Sequence, residues 1–383
     1  MALPLFPVTT VGSWPRSPAV SAALQDLQRG RISRNEFDGV ADAAVVELLR
    51  LQHALGCDLV TDGELRRDNF FSFVSDKLDG VKSMTLAQML DVVEDRAGFE
   101  RLLQTLDVPA YSISNPICVG RIGRREPLAV EDLRFVRLHS DKPVKVTLPG
   151  PYLLTRAMFV PELTRVEYPT KEALAEDVVA LLRAEVAELV AEGADFIQFD
   201  EPVLTEVAFA PSQTRTFMCA SLAARGDPAE ELEFAVTLLN RVVEGTAGTR
   251  IGVHVCRGNW SRDETTLLTG GYKPLAPYLD RLQVSQLVLE YATERAGSLV
   301  KFDGKELGLG VVNPRTNTIE SAAEIRGAVE RALELYAARE VFLNPDCGFG
   351  TFSNRPMNSW DVASAKIAAM VTAARQLRAG SAA

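Results

Sequence analysis

The feature that most constrains this chain is a recurrence of short apolar runs, each closed by polar or turn residues and most followed by a helical pattern. Eight runs are legible, at 6–11, 58–61, 144–148, 196–199, 251–255, 287–289, 307–312 and 341–343. Apolar residues on consecutive positions, bounded by turn signals, fit strands buried on both faces. Between them, apolar residues recur at helical spacing over about 18–31, 35–55, 171–192, 230–243, 321–338 and 359–377. Strand and helix in alternation require a parallel sheet covered by helices, and eight repeats predict an α/β fold of the (β/α)8 TIM-barrel type. A doubly wound sheet in two domains is the competing arrangement. One stretch, 70–127, breaks the rhythm with an amphipathic helix near 86–106 and a hairpin over 111–122. No Pro/Gly/Ser-rich linker bounds it. The whole of 1–383 therefore reads as a single domain with an insertion after the second strand, and 379–383 as a loose tail.

The barrel reading gives meaning to the residues that close the runs. Ser13, Glu64, Asp200, His254, Cys256, Glu290 and Cys347 all fall at or just beyond C-terminal strand ends, the face on which such barrels carry their chemistry. Residues two apart on a strand point the same way, so His254 and Cys256 offer an imidazole and a thiol side by side. Glu290 closes the sixth run, and Cys347 follows the eighth within Asn344-Pro345-Asp346-Cys347-Gly348. Imidazole, two sulfurs and a carboxylate on three strand ends form a donor set suited to Zn²⁺. The competing readings are a closed structural zinc and unrelated core residues. Glu64 and Asp200 add negative charge to the same face, with ion pairing to Arg66, Arg67 or another barrel-end base as the alternative role. Cys57, Cys118 and Cys219 read as packed, inert thiols, and His53 and His139 as ordinary histidines.

Composition narrows the partners. A net charge of −10 argues against nucleic acid and acidic membrane surfaces. Five cysteines in a chain this long are no disulfide framework and fit a reducing compartment. The N-terminus lacks the basic start and apolar run of a signal peptide, and no 18-residue apolar window exists, so the expected location is cytoplasmic with no membrane span.

Taken in order, Val11-Gly12-Ser13-Trp14-Pro15, Asp62-Gly63-Glu64, Pro149-Gly150-Pro151, Phe199-Asp200-Glu201-Pro202, His254-Val255-Cys256, Leu289-Glu290 and Asn344-Pro345-Asp346-Cys347-Gly348 resemble the motifs of the cobalamin-independent methionine synthase family. The resemblance runs from Thr9 to about Arg378 and is to the catalytic C-terminal half, at the length of its short, core-only members. It implies a zinc-dependent methyltransferase that methylates the thiol of homocysteine, with zinc held by His254, Cys256, Glu290 and Cys347. It places Glu290 and Arg315 at catalytic positions: Glu290 as the ligand that yields to the incoming sulfur, Arg315 where the folate-dependent enzymes carry an acid histidine. It assigns the substrate amino group to Glu64 and Asp200, and the substrate carboxylate to the turn at Gly12 and Ser13. Ala157 stands where those enzymes stack a Trp on the pterin. The donor is then methyl-folate or, because Ala157 and Arg315 depart from the pattern, a methylated corrinoid protein. Three other functions compete: alkyl transfer to another thiol, as in epoxyalkane:coenzyme M transferases; a noncatalytic zinc-binding protein; and a metal-free decarboxylase of the related uroporphyrinogen type, which would not need His254, Cys256 and Cys347 together.

Overall fold

A computed structural model of the chain describes residues 3–92, 96, 113–213, 226–246 and 248–381. Its first two strands, β1 (Leu78–Thr85) and β2 (Ser114–Arg124), pair antiparallel outside the main sheet. The other six are β3 (Lys145–Pro149), β4 (Phe196–Asp200), β5 (Arg250–Val255), β6 (Gln286–Leu289), β7 (Glu306–Val312) and β8 (Val341–Pro345). They lie side by side in sequence order and all run parallel.

The two remaining runs are held by single parallel bridges, Val8 to Leu343 and Val60 to Val144. Backbone hydrogen bonds pass from β8 to the N-terminal segment (Thr9 N to Leu343 O, 3.1 Å), on to 58–60 (Asp58 N to Val8 O, 2.9 Å), and on to β3 (Lys145 N to Val60 O, 2.9 Å). The arrangement is barrel-like, as the alternation predicts. Pro7 has no N–H to give and Gly12 opens a turn, which keeps the first rung short.

Strand period two sorts the side chains into layers. Leu148, Phe199, Val253, Leu287, Leu309 and Leu343 face the helices in the main hydrophobic core. On the opposite, inner face, Phe196, Val288 and Phe342 join Val11 and Leu59 in a small separate cluster that plugs the interior. Above the plug come buried polar residues, Lys145 and Gln198, and above these Asp200 and His254, which are partners in the β4–β5 register.

The helices begin and end on sequence signals. Arg34–Leu55 starts on a capping box in which Ser33 and Glu36 satisfy each other's backbone N–H, and stops at Gly56 with φ 95°. Ala322–Leu333 starts on the same device, Ser321 with Glu324. Pro151–Met158 is capped from another strand: the N–H groups of Tyr152 and Leu153 donate to the Glu201 carboxylate at 2.8 and 3.0 Å, tying the ends of β3 and β4 together.

Three local expectations change. The stretch read as a hairpin over 111–122 is, where described, one arm of a longer one: Ser114–Arg124 pairs with Leu78–Thr85. β1 alternates too few apolar residues to be legible as a strand alone, and gains its order from its partner. Of the helix expected at 86–106, Leu86–Met89 is helical and the positions past 92, Arg96 aside, lie outside the described residues, as do Tyr111 and Cys219. Of the expected loose tail, 379–381 belong to the last helix, Trp360–Ser381, and 382–383 lie outside the described residues. No helix among the described residues is long and apolar enough to cross a membrane.

Candidate metal centre

The end of β5 carries His254 and Cys256, and the turn after β8 carries Cys347. Their donor atoms all lie within 4.8 Å of one another, and all three residues are buried. His254 is oriented by a hydrogen bond of 3.0 Å between Nδ1 and the carbonyl oxygen of Val288 on β6. A carbonyl only accepts, so Nδ1 keeps its proton and Nε2 is the nitrogen that can offer a lone pair to a metal once its own proton is displaced. Nε2 is buried and has no hydrogen-bond partner. An orphaned imidazole nitrogen facing two sulfurs, with its other nitrogen fixed by a backbone carbonyl, fits a thiophilic divalent metal. The Cys347 thiol alongside Cys256 holds the latter well below its ordinary pKa against the effect of burial. Burial pulls His254 down, but the Cys256 sulfur outweighs it and brings the imidazole up to about 9. A metal at this place displaces those protons.

Glu290 is not part of that group. Its carboxylate accepts from Arg315 Nη1 at 3.0 Å, from the backbone N–H of Arg257 at 2.9 Å, and more distantly from the guanidiniums of Arg257 (3.4 Å) and Arg295 (3.5 Å). Burial opposes its ionisation, but Arg295, Arg315 and Arg257 outweigh burial and hold its pKa below the usual carboxylate value. Arg315 itself is fully buried and bridges four acceptors: Glu264, Asn259, Glu290 and Asp346. Asp346 also accepts the backbone N–H groups of Tyr291 and Ala292, both at 2.8 Å, which fixes the turn bearing Cys347 against the turn after Glu290.

Ser13, Glu64, Asp200, His254, Cys256 and Cys347 line one pocket. The Gly12–Ser13 turn is clamped on both sides. Trp14 N donates to Gly63 O at 2.8 Å, and Phe349 N to Ser13 O at 3.0 Å. Arg16, buried, donates to Gly350 O and Glu64 O at 2.8 Å each and to Arg67 O at 2.5 Å, so one guanidinium ties three strand-end loops. Gly12 is required by close approach: a Cβ there would lie 2.2 Å from Glu64 Oε1. Glu64 sits at φ 54°, an unusual value for a non-glycine residue and one that turns its carboxylate into the pocket floor. Its Oε1 accepts from Thr147 Oγ1 at 2.8 Å, and its Oε2 is buried without a partner. Asp200 is pushed up to about 7, by burial first and by Glu64 next, with His254 opposing. Arg66 pairs with Asp42 and Asp132, and Arg67 donates to Thr147, so neither takes up Glu64 or Asp200 in a salt bridge.

Ala157 faces the main hydrophobic core. His53 is half-buried and bonded to Ser140, and Cys57 and Cys118 are buried free thiols. The sequence reading missed Arg257, Arg295, Lys145 and Gln198. For the last two a signal existed: Lys145 is two residues before Thr147 and Gln198 two before Asp200, hence on the same inner faces.

The fold and the site together define a barrel-like α/β protein with a His-Cys-Cys centre at the strand ends, opening on a pocket that also holds two buried carboxylates. The chain belongs to the family described as cobalamin-independent synthase, catalytic domain, whose profile matches residues 6–376. It is 28% identical over 382 residues to the methionine synthase of Pyrococcus abyssi, covering 99% of this chain and 94% of that protein. It is 24% identical over 381 residues to the 5-methyltetrahydropteroyltriglutamate–homocysteine methyltransferase of Thermotoga maritima, covering 98% of this chain but 45% of that protein. The chain thus spans about half the length of such relatives. Among solved structures, the B12-independent methionine synthase of Shewanella sp. W3-18-1 in complex with selenomethionine shares the fold, with a TM-score of 0.74 at 24% identity and 98% coverage of both chains.

Proposed function

We propose that this chain is a zinc-dependent methyltransferase that methylates the thiol of homocysteine to give methionine. The observation that carries the reading is the shared pocket: a sulfur-rich donor group at one side, and two carboxylates suited to an ammonium at the other. The names borne by relatives in the family point the same way. Zinc, when bound by His254, Cys256 and Cys347, acidifies a thiol whose free pKa is near ~8.5, so that a thiolate is available at neutral pH. Glu64 and Asp200 hold the substrate ammonium by charge-assisted contacts. The Gly12–Ser13 turn receives the substrate carboxylate, and the clamps on that turn keep it in place. Glu290 stays ionised among its three arginines beside the centre. A sulfonate-bearing thiol such as coenzyme M suits this pocket poorly, because its anionic head would face the same two carboxylates.

The donor follows from what the half-site lacks. Arg315, ion-paired and buried, has no proton to give near neutral pH, and Ala157, packed in the hydrophobic core, brings no π-face to the pocket. Methyl-folate alone is therefore a poor donor, and a methylated corrinoid protein a better one. The test is methionine formation by the zinc-loaded protein from homocysteine with each donor in turn. Turnover with methyl-folate near ~1 s⁻¹, within the ordinary enzyme range, overturns the donor assignment. No methionine from any methyl donor overturns the function.

A further inference from the structure

Beneath the pocket lies a cation that the chemistry above does not use. Lys145 is 1% exposed, and its ammonium donates to the backbone oxygen of Thr10 and to Gln198 Oε1 at 2.9 Å. The ammonium lies 5.3 Å from the centre of the Phe196 ring, and Lys145 forms no salt bridge among the described residues. Gln198 passes the polarity upward. Its Nε2 donates to Asp200 Oδ1 at 2.8 Å and to the backbone oxygen of Val11 at 3.1 Å.

The direction of this chain is forced. A lysine ammonium has donors only, so the atom of Gln198 that faces it must be the carbonyl oxygen. The amide nitrogen then faces the Asp200 carboxylate. A flipped amide would set two donors against each other below and two acceptors against each other above. Every partner is buried, where an unmatched polar contact costs most. One oxygen of Asp200 is thereby fixed, and the carboxylate keeps a set orientation toward the pocket. The cation below also opposes the repulsion between Asp200 and Glu64, two buried carboxylates that share that pocket. Burial brings Lys145 down to about 7 against the pull of Asp200 and Glu64, so its charge balances the two carboxylates below that pH, where the binding comparison is made.

We propose that Lys145 and Gln198 are positioning residues that orient and charge-balance Asp200 for the α-ammonium of the substrate, so that the preference for an amino-bearing thiol depends on two residues beneath the site. This inference rests on the function proposed above, and its test separates the two. The zinc-loaded wild type, Lys145→Met and Gln198→Glu are compared for binding of homocysteine and of 4-mercaptobutanoate, which is homocysteine without its amino group, with zinc content measured alongside. Gln198→Glu gives Lys145 a counter-ion and sets an acceptor against Asp200 in place of the donor, so it reports on the orienting contact while the cation keeps a partner.

The wild type is expected to bind homocysteine at least ~10-fold more tightly than 4-mercaptobutanoate, the scale of one charge-assisted contact. Both variants are expected to lose most of that ratio, with homocysteine weakened ~10-fold, 4-mercaptobutanoate changed by less than about twofold, and zinc retained. Equal weakening of both ligands means a merely structural role and overturns the inference, as does a full preference surviving in a folded variant. If the wild type itself shows no preference, the amino-acid-thiol reading fails, and this inference with it.

Discussion

Replacing Arg315 by Met tests whether the guanidinium holds the face of the barrel together. The change keeps the stem and removes a charge that reaches Glu290 at 3.0 Å, Glu264 at 3.2 Å, Asp346 at 3.3 Å and Asn259 at 3.4 Å. The side chains of Arg315, Glu290 and Asp346 are at most 1% exposed, so water cannot replace the lost partner. Removing one partner of a buried ion pair costs ~3–5 kcal/mol. The lower end applies here, because Glu290 keeps Arg257 and Arg295 and Asp346 keeps two backbone donors. With an unfolding entropy of ~2.1 cal/mol/K per residue, a loss of ~3 kcal/mol over a chain of 383 residues lowers Tm by roughly 4 °C. Urea unfolding at pH 7, with calorimetry alongside, reads both quantities. Asp346 is already pushed up to about 6 by burial and by Glu290, with Arg315 opposing, so adding Asp346→Asn to the Arg315→Met variant restores part of the loss. An Arg315→Met protein within about 0.5 kcal/mol of wild type, the size of an ordinary surface change, refutes the reasoning. So does a double variant as unstable as the two single losses summed.

Cys256→Ser and Cys347→Ser are each expected to purify without zinc, and full occupancy by elemental analysis in both would remove the His254–Cys256–Cys347 assignment. Asp200→Asn keeps its zinc and weakens homocysteine ~10- to 100-fold, as loss of a charge-assisted contact worth ~1.5–3 kcal/mol requires; an unchanged dissociation constant by calorimetric titration counts against the ammonium site. Stability should also carry the mark of Lys145, whose folded pKa of about 7 lies below the ordinary 10.5. Between those values the unfolded chain binds a proton that the folded one lacks, so unfolding free energy rises with pH, by at most ~1.4 kcal/mol per unit. The difference between wild type and Lys145→Met in urea unfolding therefore grows from pH 7.5 to 9.5, and a flat or falling difference contradicts the burial argument.

What local spacing can specify was legible in the chain. Buried strands write consecutive apolar residues, so the runs were visible one by one, and their alternation with helices carried the barrel-like fold. Period two placed His254 beside Cys256 without reference to any other part of the chain. The capping boxes at Ser33 and Ser321, found in the structure, likewise start their helices from residues three apart. The tertiary structure decided everything that depends on which strand ends meet. His254, Cys256 and Cys347 come together across 93 positions of sequence because β5 and β8 end on the same face, whereas Glu290, two residues beyond Val288 on that face, is taken up by arginines 257, 295 and 315 from three separate loops. Lys145 and Gln198 looked like single polar residues in apolar runs until the pairing of β3 with β4 stacked them under Asp200. The Leu78–Thr85 strand was illegible because its order comes from pairing with β2. A side chain's face follows from its neighbours in sequence, but a charge takes its partner from residues tens to hundreds of positions away, and that choice is made only when the ring of strands is assembled.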